Sequence, residues 1–151
     1  MILMQKVEDG VQIETQVSSP PEDVPPVCKT GERGSDLLEH DRVDLYFVDE
    51  DAQYCVLSIG VGGQYFLQGF DGQHERLTDF PDFKVEVKHE KMEDGRNVNI
   101  LTLPCEMFPT KPRAFNAFLI AGGQKLAYHP LQAGVDELHQ LGLFPFIRFE
   151  K

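Results

Sequence analysis

The feature that most constrains this chain is a series of short apolar runs. Hydrophobic side chains recur at every second position, and each run is closed by glycine, proline or acidic residues. A period of two sends alternate side chains to opposite faces of an extended strand, whereas an amphipathic helix needs a period near 3.6. Val11-Gln12-Ile13-Glu14-Thr15-Gln16-Val17 alternates in this way, and so does Phe83-Lys84-Val85-Glu86-Val87-Lys88-His89. The second run leads through Glu93-Asp94-Gly95-Arg96, whose Asp-Gly pair supplies the positive φ of a hairpin loop, into Val98–Leu103. Val43–Val48, Tyr54–Ile59 and Gln64–Gln68 are joined by the short turns Asp49-Glu50-Asp51 and Gly60-Val61-Gly62-Gly63, which predicts an antiparallel meander. Phe115–Ala121, interrupted by Asn116 and ending at Gly122-Gly123, then Gln124–Tyr128 and Phe144–Phe149, complete about eight or nine strands.

Helical patterning is scarce. Leu131–Gly142 holds at most a short helical turn, and Cys105-Glu106-Met107-Phe108 is fenced by Pro104 and Pro109. Many short strands with Gly and Pro between them predict an all-β, antiparallel β-sandwich or barrel. A length of 151 residues corresponds to one domain, 1–151, large enough to bury a stable core without disulfides or metals. Ser18 to Glu39 departs from the pattern. It is a long Pro/Gly-rich loop, and connections of that length are functional or mobile; mobility is the expectation here.

Charge removes several function classes. With 14 basic and 25 acidic side chains the formal charge is −11, which repels phosphate, so neither nucleic acid nor an anionic membrane is an expected partner. Met1-Ile2-Leu3-Met4 followed by Gln5-Lys6 is not a signal-peptide core. No run reaches the roughly 18 apolar residues of a spanning helix. Cys28, Cys55 and Cys105 are far apart and odd in number, without a C-x-x-C, so the expectation is a cytoplasmic protein with reduced thiols.

Signatures of covalent or metal chemistry are missing from the pattern. There is no G-x-S-x-G and no local Cys-His motif. His40, His74, His89, His129 and His139 do not fall at the i, i+4 spacing of a helical zinc site. Asp41, Asp44, Asp49, Glu50 and Asp51 offer oxygen ligands for a structural calcium ion, but the order of an EF-hand is not there, Asp49-Glu50-Asp51 reads more simply as a solvated turn, and no cofactor is expected. Gly60-Val61-Gly62-Gly63 joins strand to strand, so it is a turn and not a phosphate cradle.

What is left is a sheet face. If Val43, Leu45 and Phe47 point inward, Arg42, Asp44 and Tyr46 point outward; in the next strand Cys55, Leu57 and Ile59 go in while Tyr54, Val56 and Ser58 go out. In the third, either Tyr65 and Leu67 or Gln64, Phe66 and Gln68 face out. Three such strands display a mixed surface that can hydrogen-bond hydroxyls and stack a flat apolar face.

Two groups of residues carry a resemblance. Asp41-Arg42-Val43-Asp44-Leu45-Tyr46-Phe47-Val48 and Gln53-Tyr54-Cys55-Val56-Leu57-Ser58-Ile59 resemble paired strands of family 9 carbohydrate-binding modules. Leu103–Pro109, Phe115–Ile120, Tyr128-His129-Pro130-Leu131, His139 and Pro145–Phe149 resemble an uncharacterised animal and bacterial family whose human member is a chromosome-four open reading frame. The likeness runs from about Val11 to the C-terminus. It implies a sandwich of the carbohydrate-binding-module type, jelly-roll or immunoglobulin-like. It places Asp44 where a family glutamate accepts sugar hydroxyls, and Tyr128 near a later aromatic position. The family grips sugar between two tryptophans; this chain has none, and Leu37-Leu38 stands where a Leu-Trp pair precedes the acidic strand.

The leading expectation is therefore a non-catalytic module binding a small polar ligand of the carbohydrate kind. Arg42, Asp44, Tyr54, Gln64, Tyr128 and His129 are the candidate ligand-binding residues: Asp44 accepts, Arg42 and Gln64 donate, and Tyr54 or Tyr128 stacks. One alternative is an acidic protein-interaction module for a basic partner, with salt-sensitive association. Another is a hydrolase using carboxylates or His129, which requires a deep pocket with at least two converging titratable groups.

Overall fold

The computed structural model describes residues 1–8, 10–18, 28–71, 76–78, 85–104, 113–129 and 145, with 76–78 described as backbone. The strands are β1 (Ile2–Val7), β2 (Gly10–Ser18), β3 (Arg42–Val48), β4 (Tyr54–Gly60), β5 (Tyr65–Phe70), β6 (Arg76–Thr78), β7 (Glu86–Lys91), β8 (Arg96–Pro104), β9 (Ala114–Ala121) and β10 (Gln124–Ala127). They form a four-stranded sheet, β1-β2-β8-β7, and a six-stranded sheet, β10-β9-β3-β4-β5-β6. Every strand pairing is antiparallel. The one helical element among the described residues is a 3-10 turn, Ser35–Glu39.

The expected all-β sandwich is observed, and the meander β3-β4-β5 pairs as predicted, with Leu45 opposite Leu57 and Leu57 opposite Leu67. Gly95 adopts φ +85 in the β7–β8 turn, and Gly122-Gly123 adopt φ +57 and +76 between β9 and β10, conformations that a side chain strongly disfavours. Two strands escaped the reading. β1 is an edge strand whose alternation is blurred by the exposed Leu3, and β6 is three residues long. The expected strand Phe144–Phe149 and the helical turn Leu131–Gly142 lie outside the described residues, apart from Pro145, whose carbonyl accepts from the Phe115 amide at 3.0 Å.

The inner faces meet in one core. Val11, Ile13, Leu101 and Leu103 of the four-stranded sheet pack with Val43, Leu45, Phe47, Cys55, Leu57, Ile59 and Leu67 of the other. Val43, Leu45, Phe47, Cys55, Leu57 and Ile59 are the side chains that alternation assigned inward, and Tyr65 and Leu67, left open by the sequence, also face the core. Thr15 also faces inward, with no exposure, and its hydroxyl has no hydrogen-bond partner among the described residues. An unsatisfied buried hydroxyl is a net cost, so Thr15→Val is expected to stabilise the protein by about 1 kcal/mol, read as a higher urea midpoint with unchanged m-value.

The outer faces differ, and this corrects the expectation of an open face on β3–β5. Tyr46, Val48, Tyr54, Val56, Ala114 and Phe118 form a second buried apolar layer on the far side of the six-stranded sheet. The Arg33 guanidinium covers Phe66 at 5.2 Å from the ring centroid. The solvated polar face lies instead on the four-stranded sheet. There Gln16 donates to Glu14 at 2.6 Å and Arg96 donates to Gln16 at 3.0 Å. The physical reason is legible in the strands: β3 and β4 are almost continuously apolar, as a strand buried on both faces must be, whereas β2, β7 and β8 alternate cleanly.

The described part of the long 18–39 loop, residues 28–39, is hydrogen-bonded to the β4–β5 turn and to β5. The Gly31 amide donates to the Gly63 carbonyl at 2.9 Å, and Gly34 donates to Tyr65 at 3.1 Å, while Tyr65 returns a bond to the Glu32 carbonyl at 3.2 Å. Leu37, in the 3-10 turn, is fully buried. This segment fills the start of the β5 edge before β6 takes over the pairing near Gly69.

Candidate functional site

The six residues singled out by sequence fall in three places. Arg42 and Asp44 lie two apart on β3, so they share the outward face. The Arg42 Nε donates to both Asp44 carboxylate oxygens, at 2.9 and 3.1 Å. Its Nη1 donates to the Leu38 and His40 carbonyls at 2.6 and 3.2 Å, which clamps the end of the 3-10 turn. Ser58, opposite Asp44 on β4, donates its hydroxyl to the same carboxylate at 2.7 Å. Asp44 is 2% exposed, so this is an internal ion pair completed by a hydroxyl. Tyr54 is equally buried, stacked between Tyr46 at 6.0 Å and Phe70 at 5.0 Å.

Gln64 sits in the second place, the β4–β5 turn. Its backbone carbonyl accepts from the Gly60 amide at 2.8 Å, and its side-chain oxygen is buried without a hydrogen-bond partner among the described residues. The turn is locked from the opposite sheet by Asn99, which donates to the Gly60 and Val61 carbonyls at 3.3 and 3.2 Å. The Asn99 oxygen in turn meets His89 Nδ1 at 2.7 Å. Because the amide nitrogen of Asn99 is committed to carbonyls, its oxygen is the acceptor and His89 carries its proton on Nδ1.

Tyr128 and His129 occupy the third place, where the chain leaves β10. Both are exposed, Tyr128 to 72%. Tyr128 borders a cleft of about 380 Å³ at one end of the sandwich. β1 is the edge of one sheet and β10 the edge of the other, and the cleft opens between them. Its floor is apolar, with Ile2, Val17, Val43, Val61 and Leu119; Ser18, Asp41 and Tyr128 bring polar atoms to it. The Tyr128 ring lies 6.4 Å from Phe115, tilted by 54°. Asp41 also accepts from the Gly122 amide at 2.9 Å, which fixes its carboxylate beside the β9–β10 turn. Among the described residues that line the cleft, Asp41 is the one carboxylate.

Sequence reasoning missed the cleft because its walls come from opposite ends of the chain. It also missed Asn99 and gave Asn116 no role, although Asn116 is a lone amide inside an apolar strand and Asn99 shares the inward register of Leu101 and Leu103, each the signal of a buried polar group with a structural task.

Burial governs the titrating groups. It pushes the Cys55 thiol from 9.0 up to about 12, and Cys28 to about 11 with help from a hydrogen bond to Asp36. Tyr46 is pushed well above its ordinary 10.0, first by burial and then by the Asp44 carboxylate. The unfolded chain therefore loses these protons first as pH rises. The stability contributed by the neutral forms is intact below about pH 9 and declines between about 9 and 12 for Cys55. A single-cysteine variant retaining Cys55 should be unreactive toward a disulfide reagent at pH 8 until denaturant is added. Its urea midpoint should fall from pH 9 to 11 more steeply than that of the Cys55→Ala chain. The Asp49-Glu50-Asp51 turn is shaped by Asp49 itself, whose carboxylate accepts from the Asp51 and Gln53 amides at 2.8 and 2.9 Å. Among the described residues no group of three or more His, Cys, Asp or Glu side chains is placed to hold a metal ion.

The fold has a solved counterpart. A protein from Bacteroides uniformis ATCC 8492, called a "putative carbohydrate-binding protein", superimposes with a TM-score of 0.67 at 13% sequence identity, over 93% of this chain and 72% of that one. No family model and no curated protein matches the chain by sequence.

Proposed function

We propose that this protein is a non-catalytic binding module for a small polar ligand with a flat apolar face, of the carbohydrate class, and that the ligand is held at the cleft between β1 and β10. The observation that carries the reading is the exposed Tyr128 ring at the rim of an apolar-floored cleft. A pyranose presents a C–H face that stacks on such a ring, and hydroxyls that pair with polar groups such as the Asp41 carboxylate and the Ser18 hydroxyl. The shared fold with the Bacteroides protein supports a binding module, as does the resemblance of the β3 and β4 sequences to family 9 carbohydrate-binding modules. The chain has no tryptophan, and among the described residues Tyr128 is the large aromatic side chain most open to solvent. Arg42, Asp44 and Tyr54 pack on the outer side of the six-stranded sheet and do not line this cleft, and His129 directly follows Tyr128 in the chain.

Titration of a panel of mono- and oligosaccharides by calorimetry or NMR tests the proposal. At least one sugar should bind saturably. Tyr128→Ala should weaken it by on the order of 1 kcal/mol, which is about fivefold. Absence of saturable binding across the panel, or full affinity in Tyr128→Ala, rejects this site.

A further inference from the structure

We propose that Asn116 is a positioning residue for the cleft, holding Tyr128 at the rim through the backbone of His129; its functional consequence rests on the sugar-binding reading above. Asn116 interrupts the otherwise apolar run of β9 and is completely buried. Its side-chain oxygen accepts from the His129 amide at 3.0 Å, and its side-chain nitrogen donates to the His129 carbonyl at 3.1 Å. The oxygen also accepts from the Ala117 amide at 2.9 Å. One side chain thus imitates a strand, pairing with both backbone groups of a residue just beyond β10.

The consequence for Tyr128 is geometric. Its own amide donates to the Ala117 carbonyl at 2.7 Å, continuing the β9–β10 ladder. With Tyr128 tied on one side and His129 tied in both directions, the backbone that carries the ring has little freedom. A ring 72% exposed has few side-chain contacts to hold it, so its placement depends on this backbone clamp. Ordering the ring before the ligand arrives removes part of the entropic cost of binding. Asparagine is suited to the task because a donor and an acceptor sit on one short planar amide; aspartate keeps the acceptor and loses the donor.

The test uses the full chain with ¹³C-labelled tyrosine, Tyr128 being assigned through Tyr128→Phe. In the free protein, Asn116→Ala should move the Tyr128 ring signal toward its random-coil position and speed exchange of the His129 amide at least tenfold. Affinity for the sugar bound by the parent should fall about as far as in Tyr128→Ala, and the double variant should lose nothing more. If Asn116→Ala does not fold, His129→Pro removes the same amide donor from the exposed side, and the ring signal and the sugar affinity are then the readouts. An unmoved ring with a slow His129 amide, or losses that add in the double variant, overturns the proposal. If no sugar binds the parent, the cleft reading fails by itself, and the ring and amide signals still decide whether Asn116 holds Tyr128.

Discussion

Arg42→Ala is expected to destabilise the protein by about 3–5 kcal/mol, because it strands a carboxylate that has no access to water. Asp44 is 2% exposed, and the Ser58 hydroxyl, which donates to it at 2.7 Å, carries no charge to balance the carboxylate. The same substitution releases the Leu38 and His40 carbonyls, which cap the 3-10 turn through Arg42. For a chain of this length the midpoint of thermal unfolding should drop by roughly 10 °C. Arg42→Lys should recover only part of this, since one ammonium lacks the fork that spans a carboxylate and two carbonyls. The paired change Arg42→Met with Asp44→Leu should cost less than either single change, because it removes both charges from a place where neither is hydrated. Urea denaturation of the five variants, the two single changes of the pair included, checks the whole set. A loss under about 0.5 kcal/mol for Arg42→Ala would mean that the outer face of β3 is wet. Asp44 would then be open to a ligand, as the sequence pattern first indicated.

Asn99→Ala should cost about 2–4 kcal/mol, the second largest effect, because it removes one buried amide that serves three polar groups at once. Asn99 is 1% exposed and crosses between the sheets, holding Gly60 and Val61 of the β4–β5 turn and accepting from His89 of β7. Gly63 packs so closely that a Cβ there would lie 3.1 Å from the Asn99 oxygen and 3.1 Å from the His89 Cβ. The turn therefore cannot shift to find other donors without disturbing both sheets. Asn99→Asp should be nearly as costly, since it places a carboxylate against two carbonyl oxygens. Hydrogen exchange provides the specific readout. The amide of Gly60, which donates to Gln64, should lose protection in Asn99→Ala, while amides of β1 and β2 exchange at the rate set by global unfolding. Uniform loss across the molecule would show that Asn99 has no local role in the turn. Val61 also borders the cleft, so ligand binding should weaken in the same variant.

The strands and their inward faces were legible because the information is local. Val43, Leu45 and Phe47 alternate with Asp44 and Tyr46, and the core is built from the first set. The fate of the second set was misread, although the letters held a warning. Tyr46, Val48, Tyr54 and Val56 are as apolar as the inward residues, and a strand apolar on both faces is buried on both. The polar residues among them, Asp44 and Ser58, looked like ligands because they stood out, yet they stood out because they are partners of one another. Of the six candidate residues Tyr128 alone lines the cleft. Asn116 looked like a flaw in an apolar run and is a clamp on His129.

Alternation with a period of two, glycines where turns need positive φ, and a balance of charge that disfavours phosphate all follow from neighbouring letters and backbone geometry. They were enough to specify a two-layered antiparallel fold. Which outward side chain meets water is a different kind of fact. It depends on segments distant in the chain coming to lie side by side. Ile2 of β1 and Tyr128 after β10 meet at one cleft, and Asn99 of β8 closes a turn between β4 and β5. No local pattern encodes such meetings, because their free energy comes from surfaces and hydrogen bonds that exist only once the two sheets have packed.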